Sequence, residues 1–211
     1  MSKKNFRRIA FLGGAFDPPH LGHAMLAKRV LELDLSDLVL WVPSWAPPHK
    51  CAGNMSDFFH RLAMAGLAAE EIPGCAVSDI EERRKFDPSY SFRVLGALAE
   101  ENPDAELQLL IGQDSLEQLH TWYCAKELVS RYDIIAFPRR GGGTRPGEDL
   151  VLPEEFWGHE AAEKLRNSLI PGEYVEISST ILRKELAKNA NVQHIINAKV
   201  LEYIEKNALY R

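Results

Sequence analysis

His20 and His23 stand three residues apart at the end of the stretch Gly13-Gly14-Ala15-Phe16-Asp17-Pro18-Pro19-His20-Leu21-Gly22-His23. If a helix begins near Leu21, both imidazoles fall on one face and can reach the same oxygen atoms. Glycines let the backbone approach a polyphosphate, while the N–H groups of a helix start point outward and its dipole favours negative charge. Phosphate binding is the chemistry this composition suits. His-x-x-His is also half of a zinc site, but no third ligand follows at metal spacing. Two polar residues at an exposed helix start are the plainer alternative. The stretch is neither G-x-G-x-x-G nor G-x-x-x-x-G-K-[ST], so hydride transfer and P-loop hydrolysis are not indicated.

Other stretches carry compatible chemistry. Trp41 to Lys50 is a proline-stiffened loop ending Pro47-Pro48-His49-Lys50, able to hold the Lys50 ammonium as a point charge against a phosphate. Ile177-Ser178-Ser179-Thr180-Ile181-Leu182-Arg183 puts three hydroxyls at a helix start and a guanidinium one turn on. In Ile111-Gly112-Gln113-Asp114-Ser115, Gly112 permits close approach and Asp114 can accept hydrogen bonds from ribose hydroxyls. Taken singly, each of these also reads as an ordinary cap or a solvated surface charge.

These residues need a scaffold that brings loops together. Ile9–Leu12, Leu38–Val42, Cys75–Ser78, Leu107–Ile111 and Ile134–Phe137 are short apolar runs that predict strands. Between them lie helical patterns: one carrying Leu21, Ala24, Met25, Val30 and Leu31, one opened by Ser56, one capped by Ser89 or Ser91 and running through Leu98, and one over 114–131 with a break near His120-Thr121. Strands alternating with helices demand right-handed parallel crossovers, hence an α/β fold with a Rossmann-like open parallel sheet and helices on both faces. In such a sheet the ends of the first, second and fourth strands share one crevice. Residues 139–172, rich in Gly and Pro, predict a surface loop with at most one helix, near Glu160–Leu169. A last strand at Val175–Ile177, a helix capped by Ser178 or Ser179 and a helix from Val192 through Ile204 complete the chain. A single domain over 1–211 is expected, with the helices of about 179–208 packed on it.

A net charge of −5 argues against holding a nucleic-acid backbone by bulk charge. Three scattered cysteines, Cys51, Cys75 and Cys124, fit neither a disulfide framework nor zinc and suit a reducing cytoplasm. The apolar run after the basic N-terminus is too short for a signal segment or membrane span. A homo-oligomer stays open.

GGAFDPPHLGH resembles the G-G-x-F-D-P-x-H-x-G-H signature of the nucleotidyltransferase superfamily, and in particular its nicotinate mononucleotide adenylyltransferases. Pro47-Pro48-His49-Lys50, Ile177 to Arg183 and Gly112 to Ser115 are similar to further motifs of that family. The resemblance implies transfer of AMP from ATP to nicotinate mononucleotide, giving deamido-NAD and pyrophosphate, with Mg2+ carried mainly by the ATP phosphates. It implies catalytic roles for His20, His23, Lys50 and Arg183. For ATP it adds Gly13, Gly14, Ala15, Phe16, Gly112, Asp114, Ile177, Ser178 and Ser179. For the mononucleotide it implies His49, Lys50, Tyr90, Ser91, Asp114, Thr121, Trp122, Tyr123 and Arg139. Thr121-Trp122-Tyr123 looks like the family's nicotinate site, where an aromatic plane stacks on the ring and N–H groups of a new helix meet its carboxylate. Ser89-Tyr90-Ser91 is similar to the family's S-Y-T, but continues to Arg93 where an acidic residue is usual. Related enzymes acting on the amide mononucleotide or on phosphopantetheine are the nearest alternatives, followed by a non-catalytic nucleotide sensor.

Overall fold

The computed structural model describes residues 6–47, 55–138, 150–170 and 177–211. Within them the apolar runs form strands β1 (Arg8–Gly14), β2 (Leu38–Pro43), β3 (Cys75–Val77), β4 (Glu106–Gly112) and β5 (Asp133–Phe137). All pair in parallel, in the order β3-β2-β1-β4-β5. Side chains alternate across a strand, so β1 sends Ile9 and Phe11 to one face and Ala10 and Leu12 to the other. Both faces are buried, which is why β1 reads as an unbroken apolar run rather than as an alternation.

The helices are α1 (Leu21–Glu32), α2 (Phe58–Glu70), α3 (Ile80–Arg84), α4 (Ser91–Glu101), α5 (Gln113–Gln118), α6 (Ala125–Arg131), α7 (Glu154–Trp157), α8 (His159–Asn167), α9 (Ser179–Ala187) and α10 (Ala198–Lys206). Residues of α4, α5, α6 and α8 fill the core with Ile9 and Phe11, whereas α1, α2, α9 and α10 cover the face of Ala10 and Leu12. Strand order reverses at β1, so a crevice opens beyond the carboxyl ends of β1 and β4. No helix among the described residues is long and apolar enough to cross a membrane.

Several local expectations shift. The cap of α2 is Asp57, whose carboxylate accepts from Phe59 N at 2.9 Å, and the preceding Ser56 amide donates to Asp17 Oδ1. Tyr90, not a serine, precedes α4; the Ser89 hydroxyl is taken by the Ala46 amide. The short charged α3 carries no apolar periodicity to betray it, and α7 is a single turn in the expected loop. The C-terminal helix starts at Ala198, six residues late, where the Asn197 side chain accepts from Lys199 N and Val200 N. Of the strand expected at 175–177, only Ile177 lies within the described residues, outside any element.

Candidate active site

The loop from β1 to α1 is built around Asp17, which is wholly buried. Its Oδ1 accepts from the Tyr210 hydroxyl at 2.7 Å and from Ser56 N at 3.2 Å. Arg183, one turn into α9, donates from Nη1 to the Asp17 carbonyl at 2.7 Å and stands 3.6 Å from Asp17 Oδ2. The Ser179 hydroxyl donates to the Pro18 carbonyl at 2.9 Å. Arg61, buried on α2, donates to the carbonyls of Ala15, Ser44 and Ser56, joining the β1 loop to the β2 loop. On the first loop these bonds fall on its carbonyls and on the Asp17 carboxylate.

On this frame His20 immediately precedes α1 and His23 lies in its first turn. Their rings stack with centroids 3.8 Å apart, and His23 Nδ1 accepts from His20 N at 3.2 Å. Phe16 backs the pair: its ring meets His23 edge-on at 5.0 Å and stacks on Trp41 at 5.2 Å. The Phe16 side chain is therefore buried support for an imidazole, which leaves the backbone of this residue as the part that could meet ATP. Burial pushes the His20 imidazole down to about 4, so it is neutral at pH 7. Its Nδ1 is buried with no hydrogen-bond partner among the described residues, a cost of about 1–3 kcal/mol that a ligand oxygen would relieve. A polyphosphate here also brings negative charge, which favours the imidazolium.

Beside this cluster a cavity of about 700 Å³ opens beyond the carboxyl ends of β1 and β4. Gly13, Gly14 and Ala15 form one side, and Ser44 and Pro47 continue the wall after β2. A side chain at Gly13 would start 2.6 Å from the Phe11 ring, so packing as well as ligand approach demands glycine there. Opposite stand Tyr90, Ser91, Thr121, Trp122 and Tyr123, five of the residues expected at the mononucleotide. Tyr90 and Tyr123 stack at 4.6 Å, and the Arg93 guanidinium lies 5.5 and 5.2 Å from their ring centres. Gly112 faces open space, as close approach requires, and Asp114 follows it in the first turn of α5.

One expectation fails here. Thr121 and Trp122 do not begin a helix: Thr121 ends a 3-10 turn over Leu119–Thr121, the Trp122 amide is spent on Leu119 O at 3.0 Å, and α6 starts only at Ala125. Trp122 already has an extended backbone, and Cys124, immediately before α6, a left-handed one (φ 53°). Trp122 packs partly against the core while also lining the cavity. His49, Lys50 and Arg139 lie outside the described residues. None of His20, His23, Ser179 and Arg183 lines the cavity: the histidines pack on each other and His23 on Phe16, while Ser179 and Arg183 bond the Pro18 and Asp17 carbonyls. The sequence reading missed Asp17, Arg61 and Tyr210 as the frame, and Glu81, a buried acid in the cavity wall. An acid, an arginine and a tyrosine spread over three distant segments give no local signal.

The comparisons fit this geometry. The cytidylyltransferase-like family matches residues 11–185, which span the first loop through Arg183. A Bacillus subtilis nicotinate-nucleotide adenylyltransferase is 32% identical over 204 residues, covering 97% of this chain and 98% of the relative. The chain belongs to this nucleotidyltransferase family, among the nicotinate-nucleotide adenylyltransferases. A protein of Symbiobacterium thermophilum named "Probable nicotinate-nucleotide adenylyltransferase" is 36% identical over 206 residues, covering 96% of this chain and 95% of its own. The fold is that of the Plasmodium falciparum nicotinic acid mononucleotide adenylyltransferase complexed with NaAD (TM-score 0.75, 20% identity, 97% of each chain).

Proposed function

We infer that this nicotinate-nucleotide adenylyltransferase transfers AMP from ATP to nicotinate mononucleotide, releasing pyrophosphate and forming deamido-NAD. The carrying observation is the first loop, which presents the stacked His20–His23 pair at the start of α1, is fastened through Asp17 to Arg183, and lines with Gly13–Ala15 the cavity that also holds the Tyr90–Tyr123 wall. A phosphate oxygen of the mononucleotide attacks the α-phosphorus of ATP, the bond from that phosphorus to the bridging oxygen breaks, and pyrophosphate carries the electrons away. The attacking phosphate is already anionic, so no protein nucleophile is needed and catalysis reduces to alignment and charge stabilisation.

His20 and His23 donate to the phosphate oxygens as charge builds on them, and Arg183 draws off the leaving pyrophosphate. Lys50, seven residues after β2 in the sequence, adds a further positive charge. Mg2+ arrives with ATP as part of the substrate and neutralises its phosphates. One domain comprising the whole chain houses both sites. The aromatic wall favours a planar base over the flexible arm of phosphopantetheine.

The test is purified protein with ATP and Mg2+ plus each acceptor in turn: acid mononucleotide, amide mononucleotide and phosphopantetheine. Products are identified by mass. Deamido-NAD with the highest kcat/KM for the acid is expected. A better reaction with phosphopantetheine, or no pyrophosphate from any acceptor, would exclude the assignment.

A further inference from the structure

Glu81 is the acid of the cavity wall that the reaction above does not use. It is 2% exposed, lines the same 700 Å³ cavity as Tyr90 and Trp122, and its Oε2 accepts from Trp45 N at 2.8 Å. The Ser89 side chain is near enough to favour the ionised Glu81 carboxylate, against the larger effect of burial. Ser89 in turn is tied twice to the next residue of the β2 loop: the Ala46 amide donates to its hydroxyl at 2.8 Å, and its own amide donates to the Ala46 carbonyl at 2.9 Å. Glu81 and Ser89 thus fasten Trp45-Ala46, just before Pro47-Pro48-His49-Lys50, to the wall that carries Tyr90. The pair fixes the distance between two sides of the cavity.

We propose that Glu81 is a positioning residue of the mononucleotide subsite, bracing the loop after β2 against the Ser89–Tyr90 wall and taking up a proton when the anionic mononucleotide enters. The ligand brings phosphate and carboxylate charge, and an ionised carboxylate in the same poorly hydrated wall opposes it. A neutral carboxyl keeps its bond from Trp45 N and removes the repulsion. The surroundings let it do so. Arg61 on α2 is the cation that faces it, but that guanidinium is divided among three backbone carbonyls. β2 offers no charged side chain. On α3 Arg83 pairs with Glu101 and Asp79 and Arg84 with Glu100 on α4, while Lys85, which follows α3, lies over the Trp45 ring and pairs with Glu82. On α4, Arg93 sits beside the tyrosine rings. Burial accordingly pushes the Glu81 carboxyl up to about 7, within reach of a modest change in local charge.

This rests on the cavity being the mononucleotide subsite, and the experiment separates the two claims. Titration calorimetry of nicotinate mononucleotide is run at pH 7 in buffers of different ionisation enthalpy, on the wild type and on Glu81→Gln. Glutamine keeps an acceptor for Trp45 N and cannot titrate, and the unfolding temperature checks that it folds. The wild type should take up about half a proton more than the variant. KM for the mononucleotide should rise on the order of tenfold from pH 6 to 8.5 in the wild type and markedly less in Glu81→Gln, while the pH dependence of KM for ATP is shared by both. Identical proton counts and identical KM profiles would overturn the role of Glu81 while leaving the function intact. A wild type that does not bind the mononucleotide at all would overturn both.

Discussion

His20 combines burial, a stacked partner and a ring nitrogen without a bond partner, and such a residue contributes more to a transition state than to the resting fold. His20→Ala is expected to lower kcat about a hundredfold or more while the protein remains folded; a folded variant with near-normal turnover would remove the residue from the mechanism. Two buried titrations also set opposing pH trends. His20 is held below its ordinary 6.5, so its contribution to stability is complete above that value and is lost as pH falls toward about 4. Glu81 is held above its ordinary 4.5, so its contribution is complete below 4.5 and is lost as pH rises through about 7. Glu81→Gln should therefore gain stability relative to wild type, by at least ~1 kcal/mol between pH 5 and pH 8, as read by urea unfolding. A difference that does not change with pH would contradict this.

Helix ends decide which backbone donors the site can use. α1 and α9 both start against the first loop, α9 sending the Ser179 hydroxyl to Pro18 and Arg183 to Asp17. The break after Thr121 lets Tyr123 turn back onto Tyr90, so a ring wall, rather than a set of free amides, is what this segment presents. At the other end of the chain, Asn197 caps α10 with two accepted bonds, and α10 carries Tyr210 to the site. Asn197→Ala is expected to cost about 1 kcal/mol in chemical unfolding, with only a small change in kcat; an unchanged midpoint would mean the cap contributes nothing.

Over the whole molecule, the reversal of strand order at β1 makes one crevice, and the chain's far end closes the frame behind it. Tyr210 reaches Asp17 across 193 residues, and Arg183 does so across 166. Tyr210→Phe removes one of the two hydrogen bonds that Asp17 Oδ1 accepts and leaves a buried carboxylate oxygen short of a partner. The expected result is a loss of about 1–3 kcal/mol in stability together with a several-fold lower kcat, since the His20 turn is strung on Asp17; wild-type stability and turnover would refute the coupling. The loop chemistry from Gly13 to His23, the Ile177–Arg183 motif and the alternation of strands with helices were legible in the residues alone, because spacing and apolar periodicity are local quantities. Packing alone decided that Asp17 is the hub, that Phe16 supports an imidazole, that α6 waits until Ala125 and that Glu81 stands in the cavity wall. Desolvation and long-range hydrogen bonds depend on which distant segments exclude water from a group, and a linear pattern does not encode that.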